Sequence, residues 1–523
     1  MKLCRDMLFA LYTGLWRAAE PLLRRHTRLR DSFAARSDPE AGPFAAFAAA
    51  SRAGENADAA SPLSFWIQAA SAGEARLCRS LIPALYAAAY AVPDATPEAA
   101  CPPSRPLRLL CTSCTAQGLA VLEETRRSLP EAARLNCFCG YLPFDRPDLM
   151  REVLRLAAPG ALILLETELW PGLMRAAKDL GVPLLVVNGR MSAKSARLYG
   201  LTRFFWRDLA PDGIAAISEA DANRFAAVFG HPDTVKVMSN IKFDLLWAEE
   251  KAPVGAARPE KDAIDEGASR RLRAELGLGD ADLLLLLASV RAEEEDLLLP
   301  LVRSLHGQKI SGRNTLVAVA PRHMHRIRPW EEKLRAAGLS FQLRQSGADA
   351  AGQISAQAQA RDCGKDALGS GQPNPPPLCL CDRFGELAAL YAAADSVFVG
   401  GSLVPLGGQN FLEAIAAGAS ALVGPHLDNF LWAGEEVFKA GLARKIAGPS
   451  ELEEALLEGL RDRAAQLERA GPDGAGRARA ALLAERRAQF QTLIGAKVGG
   501  SALAAAMILN IVDSGVFAAK KLR

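Results

Sequence analysis

The sequence lacks an excess of charge of either sign. Its 62 lysines and arginines nearly balance 59 aspartates and glutamates, for a formal net charge of +3. Bulk nucleic-acid binding therefore has no electrostatic basis. A zinc framework is lacking too. Of ten cysteines, only Cys111 and Cys114 stand in Cys-x-x-Cys spacing, where a structural zinc site wants two such knuckles. With the close pairs Cys137/Cys139 and Cys379/Cys381, they read as reduced, buried small hydrophobes, which suits a cytosolic compartment. Long uncharged apolar runs are also missing. Met7 to Trp16 and Val498 to Val512 are both short for a membrane span. No small-residue cleavage site follows the first, so a cleaved signal peptide is not expected. The second reads as a packing helix. Arg17, Arg24, Arg25, Arg28 and Arg30 follow the first apolar segment. Two readings stay open for it: a helix in the headgroup layer of an anionic leaflet, or a helix packed on its own domain.

What is present is a rhythm. A chain of 523 residues, 50% of them hydrophobic, predicts at least two domains with real cores. Strand-like apolar runs at Leu63–Ala70, Leu107–Thr112, Ala161–Leu165, Leu184–Asn188 and Ile214–Ser218 alternate with helical patterns such as Ala75–Tyr90 and Ala116–Ser128. The alternation breaks at Ala248–Ser269, rich in Ala, Pro, Glu and Lys. It restarts with Leu283–Ser289, Leu316–Ala320, Leu378–Cys381, Ser396–Gly400 and Ser420–Val423. This βαβ order implies parallel sheets covered by helices. Residues Ser346–Pro377, rich in Gly, Ala, Gln and Pro, read as a flexible insertion. From about Glu451 the chain is helical. The expected division is an N-terminal segment 1–35, a Rossmann-like domain 36–247, a linker 248–280, a second Rossmann-like domain 281–480 carrying the insertion 346–377, and a helical tail 481–523.

The polar motifs follow strand ends, where open parallel sheets bind ligands. This predicts a cleft between two facing rims. Ser71-Ala72-Gly73-Glu74 puts a carboxylate at a helix start. Glu74 there is either an acceptor for the helix dipole or a general base. Glu166-Thr167-Glu168-Leu169-Trp170-Pro171 ends a strand. An alternating register places Glu166 and Glu168 on one face, serving function or salt bridging to Arg190. Lys242, in Ser239-Asn240-Ile241-Lys242-Phe243-Asp244, is either solvated or a point charge reaching into the cleft.

In the second half, Pro321 and Arg322 end a strand, and a bidentate guanidinium suits phosphate. His323 and His325 lack a nearby third ligand, so no metal is expected. Gly400-Gly401-Ser402 and Gly407-Gly408-Gln409-Asn410-Phe411-Leu412-Glu413 form a glycine loop before a helix. The loop is read as offering bare N–H groups to an anion, with Glu413 placed to accept from a ribose diol.

Taken in order, these motifs, with Tyr141 to Asp145, Asn188 to Ser192, Gly385-Glu386-Leu387 with Tyr391, and Gly424-Pro425-His426 with Asn429-Phe430, resemble those of the 3-deoxy-D-manno-octulosonic acid (Kdo) transferases. The resemblance implies an α/β GT-B fold, two Rossmann-like domains facing a central cleft, with a helical C-terminal tail. It implies metal-independent, inverting transfer of Kdo from CMP-Kdo to a lipid A precursor (lipid IVA) in lipopolysaccharide biosynthesis, without a cofactor. It also implies a place at the cytoplasmic face of the inner membrane, held by the N-terminal segment. On this resemblance Glu74 is the general base, and Lys242 with Glu166 or Glu168 supports the transition state. Pro321, Arg322, Phe384, Gly385, Glu386, Asn410, Phe411, Leu412 and Glu413 hold CMP. The sequence departs from the family pattern at Gln409, where His is usual, and at Ser239, where Gly is usual. The competing readings are a GT-B transferase for another nucleotide sugar and a non-catalytic lipid A precursor-binding paralogue.

Overall fold

The computed structural model describes residues 2–26, 29–53, 62–90, 106–251, 266–344, 377–383 and 386–513. The chain divides into two compact units, residues 1–248 with 497–523, and residues 249–496. Residues 346–376 of the insertion and 252–265 of the expected linker lie outside the described residues.

The first unit holds seven parallel strands: β1 Leu63–Gln68, β2 Leu107–Ser113, β3 Cys137–Tyr141, β4 Ala161–Leu165, β5 Leu184–Gly189, β6 Gly213–Ala216 and β7 Val235–Val237. Their order is β3-β2-β1-β4-β5-β6-β7. The direction of winding reverses between β1 and β4, the point at which doubly wound sheets bind ligands. Every residue of β4 is buried, as both faces of a helix-covered parallel strand require.

The second unit repeats the plan with β8 Leu283–Val290, β9 Lys309–Ile310, β10 Arg313–Pro321, β11 Gln342–Arg344, β12 Leu378–Cys381, β13 Ser396–Val399, β14 Ala421–Val423 and β15 Ala443–Lys445. The order is β11-β12-β10-β8-β13-β14-β15, with β9 antiparallel on β10. Winding reverses between β8 and β13, and all eight residues of β8 are buried. The sequence reading omitted β3, β7, β9, β11 and β15. These are short, at or beside sheet edges, and partly exposed, so no apolar run announces them.

The N-terminal helix Lys2–Arg25 lays one face on the first unit. Phe9 packs on Phe205, Trp16 on Phe144, and the Tyr12 hydroxyl donates to Asp145 at 2.8 Å. Leu8, Leu11, Leu15 and Leu22 stay exposed.

The expected helical tail is divided between the units. By length and composition the helical stretch Ala475–Ile511 is apolar enough to cross a membrane. It is broken at Gly499, whose φ is +116°, between the helices Ala475–Gly495 and Gly500–Asp513. The second helix buries Ala504, Ala505 and Ile508 in the first unit's core. Asp244 fixes its start by accepting from the N–H groups of Gly499 at 2.6 Å and Ser501 at 2.5 Å. A Cβ on Gly500 would meet the Ser239 carbonyl at 2.2 Å. Ser239 donates its hydroxyl to the Lys497 carbonyl. Asp244→Ala should therefore cost about 3 kcal/mol, the scale of two hydrogen bonds to a charged group, and open the final helix to protease. Urea denaturation and limited proteolysis check this; unchanged values for both would contradict it.

Candidate functional site

In the first unit the carboxylates gather where β1 and β4 end. Glu74 lies in the first turn of the helix Ala72–Tyr90. The Ser71 N–H donates to its Oε2 at 2.6 Å, and the Ser71 hydroxyl donates to the same oxygen. The bond from the Ser71 N–H is the carboxylate half of a capping box, and the two bonds together orient the carboxylate. The helix-end role and a position at the winding reversal are both present.

The expected shared face of Glu166 and Glu168 is corrected. The strand stops at Leu165, and Glu166 has φ +58°, so the alternation does not continue. Glu166 forms an ion pair with Lys242, Nζ to Oε1 2.7 Å. Glu168 turns elsewhere, accepting from the Trp170 indole N–H at 2.8 Å. Burial pushes its carboxyl up to about 7, helped by the charges of Glu74 and Glu166 and opposed by Trp170. Lys242 is thus engaged rather than merely solvated. It sits at the start of the helix Ile241–Lys251, where Asn240 Oδ1 accepts from the Lys242 N–H at 3.0 Å. Asn188 follows β5's apolar run with φ +57° and accepts from the Ile241 N–H at 2.9 Å. Two motifs far apart in sequence are therefore one structural joint.

The second unit's polar residues gather where β8, β10 and β13 end. Pro321 closes β10 and is buried, while Arg322 is exposed beyond it. Arg291, just past β8, joins Arg322 and His325 in holding His323 below the ordinary imidazole range, with burial as the largest cause. Arg291 went unremarked in the sequence, although the strand-end rule that selected Arg322 applies equally to it.

The bare glycine loop is a second correction. Glu294, fully buried, accepts from the N–H groups of Gly401 at 2.6 Å, Ser402 at 2.9 Å and Leu403 at 3.0 Å. Gly408 N–H donates to the Gly401 carbonyl and Gln409 N–H to that of Gly400. These donors are already used internally. Gly400 is glycine because a Cβ would lie 2.7 Å from Glu294 and 2.8 Å from the Ser289 carbonyl. Past the loop, Asn410 donates to Glu413 at 2.7 Å and heads the short helix Leu412–Ala416. Phe411 and Leu412, expected to hold CMP, are buried whole. Tyr391 is fully buried. Burial and Glu413 push its phenol well up, with Ser289 and Arg322 opposing. Glu386 is gripped by Arg344 at 2.7 Å and Arg383 at 3.1 Å. Against burial, these arginines hold it below the usual carboxylate range. Phe384 and Gly385 lie outside the described residues. No group of three or more His, Cys, Asp or Glu side chains placed to hold a metal occurs among the described residues.

Two Rossmann-like α/β units with polar strand ends are the architecture of the GT-B fold. Residues 33–245 match the family described as 3-Deoxy-D-manno-octulosonic-acid transferase (kdotransferase). A 3-deoxy-D-manno-octulosonic acid transferase of Bordetella pertussis is 31% identical over 75% of this chain and 78% of its own. The transferase of the same name from Chlamydophila psittaci is 27% identical over 62% and 64% of the two chains. The crystal structure of the C-terminal CMP-Kdo binding domain of WaaA from Acinetobacter baumannii is 21% identical, with a TM-score of 0.29, covering 42% of this chain and 97% of that one. A glycosyltransferase structure from Rickettsia africae is 11% identical, with a TM-score of 0.46, over 87% and 99%. The chain belongs to the Kdo transferase family and is a glycosyltransferase.

The raised Glu168 carboxyl has a signed consequence. The folded form keeps a proton that the unfolded chain releases near 4.5. This contribution to stability is full below pH 4.5 and is lost as pH rises through about 7. Asp145, also pushed up to about 7 by burial, acts in the same direction. Glu168→Gln should remove Glu168's share alone, so the variant gains stability over the unaltered protein between pH 5 and 8. Urea titrations at several pH values measure the difference; parallel curves would contradict the assignment.

Proposed function

We propose that this enzyme transfers Kdo from CMP-Kdo to a lipid A precursor with inversion, using Glu74 as general base. The observation that carries the reading is the Glu74 carboxylate. It is oriented by Ser71 at the helix start where the first sheet reverses its winding, on a chain of this family. Glu74 takes the proton of the acceptor sugar's primary hydroxyl as that oxygen attacks the Kdo anomeric carbon. The bond from that carbon to the CMP phosphate breaks, and CMP leaves with both electrons. Lys242, held in place by Glu166 at 2.7 Å, presents its ammonium dipole to the charge that develops as the sugar shifts.

In the second unit the exposed Arg322 holds the CMP phosphate bidentately. Asn410 and Glu413 face the ribose diol. Glu386, fixed by Arg344 and Arg383, helps with Phe384 and Gly385. The reading places the enzyme on the cytoplasmic face of the inner membrane. The exposed leucines of the N-terminal helix, with Arg24 and Arg25 in its last turn, would lie in the headgroup layer.

Glu74→Gln should lower kcat by about a hundredfold or more, the range for a positioned base, with CMP affinity unchanged and the circular dichroism spectrum intact. Activity within a few-fold of the unaltered protein would remove Glu74 from this role. Arg322→Ala should weaken CMP binding about tenfold or more, as loss of a charge-assisted contact does. Calorimetry with CMP, UDP and GDP checks it, and tighter UDP binding would favour a different nucleotide sugar. Leu11→Asp with Leu15→Asp should reduce flotation with anionic vesicles; equal flotation would contradict anchoring by this helix.

A further inference from the structure

In the first unit, the helix Ala193–Leu201 begins just past the end of β5. The Ser192 hydroxyl caps it, accepting from the Ser195 N–H at 3.0 Å. None of its nine residues is fully buried, where a helix on a folded domain ordinarily hides an apolar stripe. Arg197, Leu198 and Leu201 follow Lys194 by three, four and seven residues, so the four share one face. Leu198 is 65% exposed and Leu201 79%. Past Thr202, the short helix Arg203–Asp208 adds Phe204, 43% exposed, and the exposed Arg203. From Met191 to Arg207 the chain carries four cations and no carboxylate.

Aromatic contacts fix the two helices in place. The Trp206 ring packs on Tyr199 at 4.9 Å, and its indole N–H donates to the Thr202 hydroxyl at 3.1 Å. Phe205 packs on Phe9 of the N-terminal helix at 5.2 Å, so this surface continues towards the exposed Leu8 and Leu11. On the inner side, burial and then the charge of Glu168 push the Tyr199 phenol up. The helix therefore borders the carboxylates where β4 ends. Single exposed leucines are ordinary. Three large apolar side chains within seven residues, interleaved with cations and continuous with a second apolar face, mark a contact surface.

We propose that this helix pair is a second contact with an anionic bilayer. Leu198, Leu201 and Phe204 enter the acyl boundary, while Lys194, Arg197 and Arg203 meet lipid phosphates. Protein–protein interfaces deplete lysine from their apolar centres. A headgroup layer accepts leucine and lysine on one face, because the apolar tips point inward and the cations reach outward. The inference rests on the membrane reading proposed above and adds a contact beside Glu168, which the N-terminal helix alone does not supply. Two contacts fix the unit's orientation on the surface, where one leaves it free to roll. They set the carboxylates of the first unit against the layer that holds a lipid-borne sugar.

The test is flotation of the full chain with vesicles of phosphatidylcholine and phosphatidylglycerol. Leu198→Asp with Leu201→Asp should weaken vesicle binding about tenfold or more, the scale of a leucine withheld from an apolar layer. Lys194→Gln with Arg197→Gln should weaken it about tenfold or more as well, the scale of two cations at an anionic surface. Binding of this second variant to pure phosphatidylcholine should not change. An unaltered circular dichroism spectrum and retained CMP binding show that both variants fold. Unweakened flotation of either folded variant overturns the proposal. Intact flotation, with a native oligomer reduced to monomer by Leu198→Asp and Leu201→Asp in light scattering, assigns the face to a second copy and also overturns it. The Leu11→Asp, Leu15→Asp variant separates the two membrane readings. If it alone detaches the protein, only the N-terminal helix anchors. If the Leu198→Asp, Leu201→Asp variant alone does so, this contact stands and N-terminal anchoring falls.

Discussion

Glu294 holds three backbone N–H groups from the start of the glycine loop and a fourth, that of Arg291, at 3.1 Å. A chain leaving a parallel strand for a tight turn has N–H groups with no sheet partner, and burial makes each one expensive. This protein meets that requirement repeatedly with carboxylates. Asp145 accepts from Gly172 and Leu173 at the start of the helix Pro171–Leu180. Asp244 accepts from Gly499 and Ser501. Loops secured this way hold the polar strand-end residues in fixed places, which any transfer chemistry needs.

The first unit also concentrates acidity where β1 and β4 end, with partners of other kinds. Glu74 is bound to Ser71, Glu166 to Lys242 and Glu168 to Trp170. Of these partners, Lys242 is the cation. Glu168 answers the repulsion with a raised proton affinity. Glu168, with its proton held more tightly beside two other carboxylates, is the kind of arrangement that separates acid, base and electrostatic roles.

Central strands were legible because burial on both faces leaves an unbroken apolar run, as in Leu283 to Leu287 and Ala161 to Leu165. Strand β3 was not, because Cys137 to Tyr141 mixes half-buried residues with a glycine. The motif residues were legible from their positions after strands, and Glu74, Lys242 and Arg322 stand at such ends. Their partners were not, because pairing across the sheet leaves no local mark. Glu294 lies 107 residues before Gly401, so the glycine loop looked open when its donors were already occupied. The Glu166 backbone at positive φ likewise broke an alternation that sequence alone extends. The final helix was seen as a packing element, but its attachment to the first unit depends on Asp244, 255 residues upstream of Gly499.

The central claim is the reaction itself: a carboxylate fixed at a helix start deprotonates a sugar hydroxyl, which displaces CMP from Kdo. The most direct measurement is mass spectrometry of the lipid after the full chain is incubated with CMP-Kdo and tetra-acylated lipid A precursor, without added metal. The account predicts precursor heavier by one or more Kdo residues, with CMP released in equal number. Unmodified precursor, from protein shown to bind CMP, would contradict it.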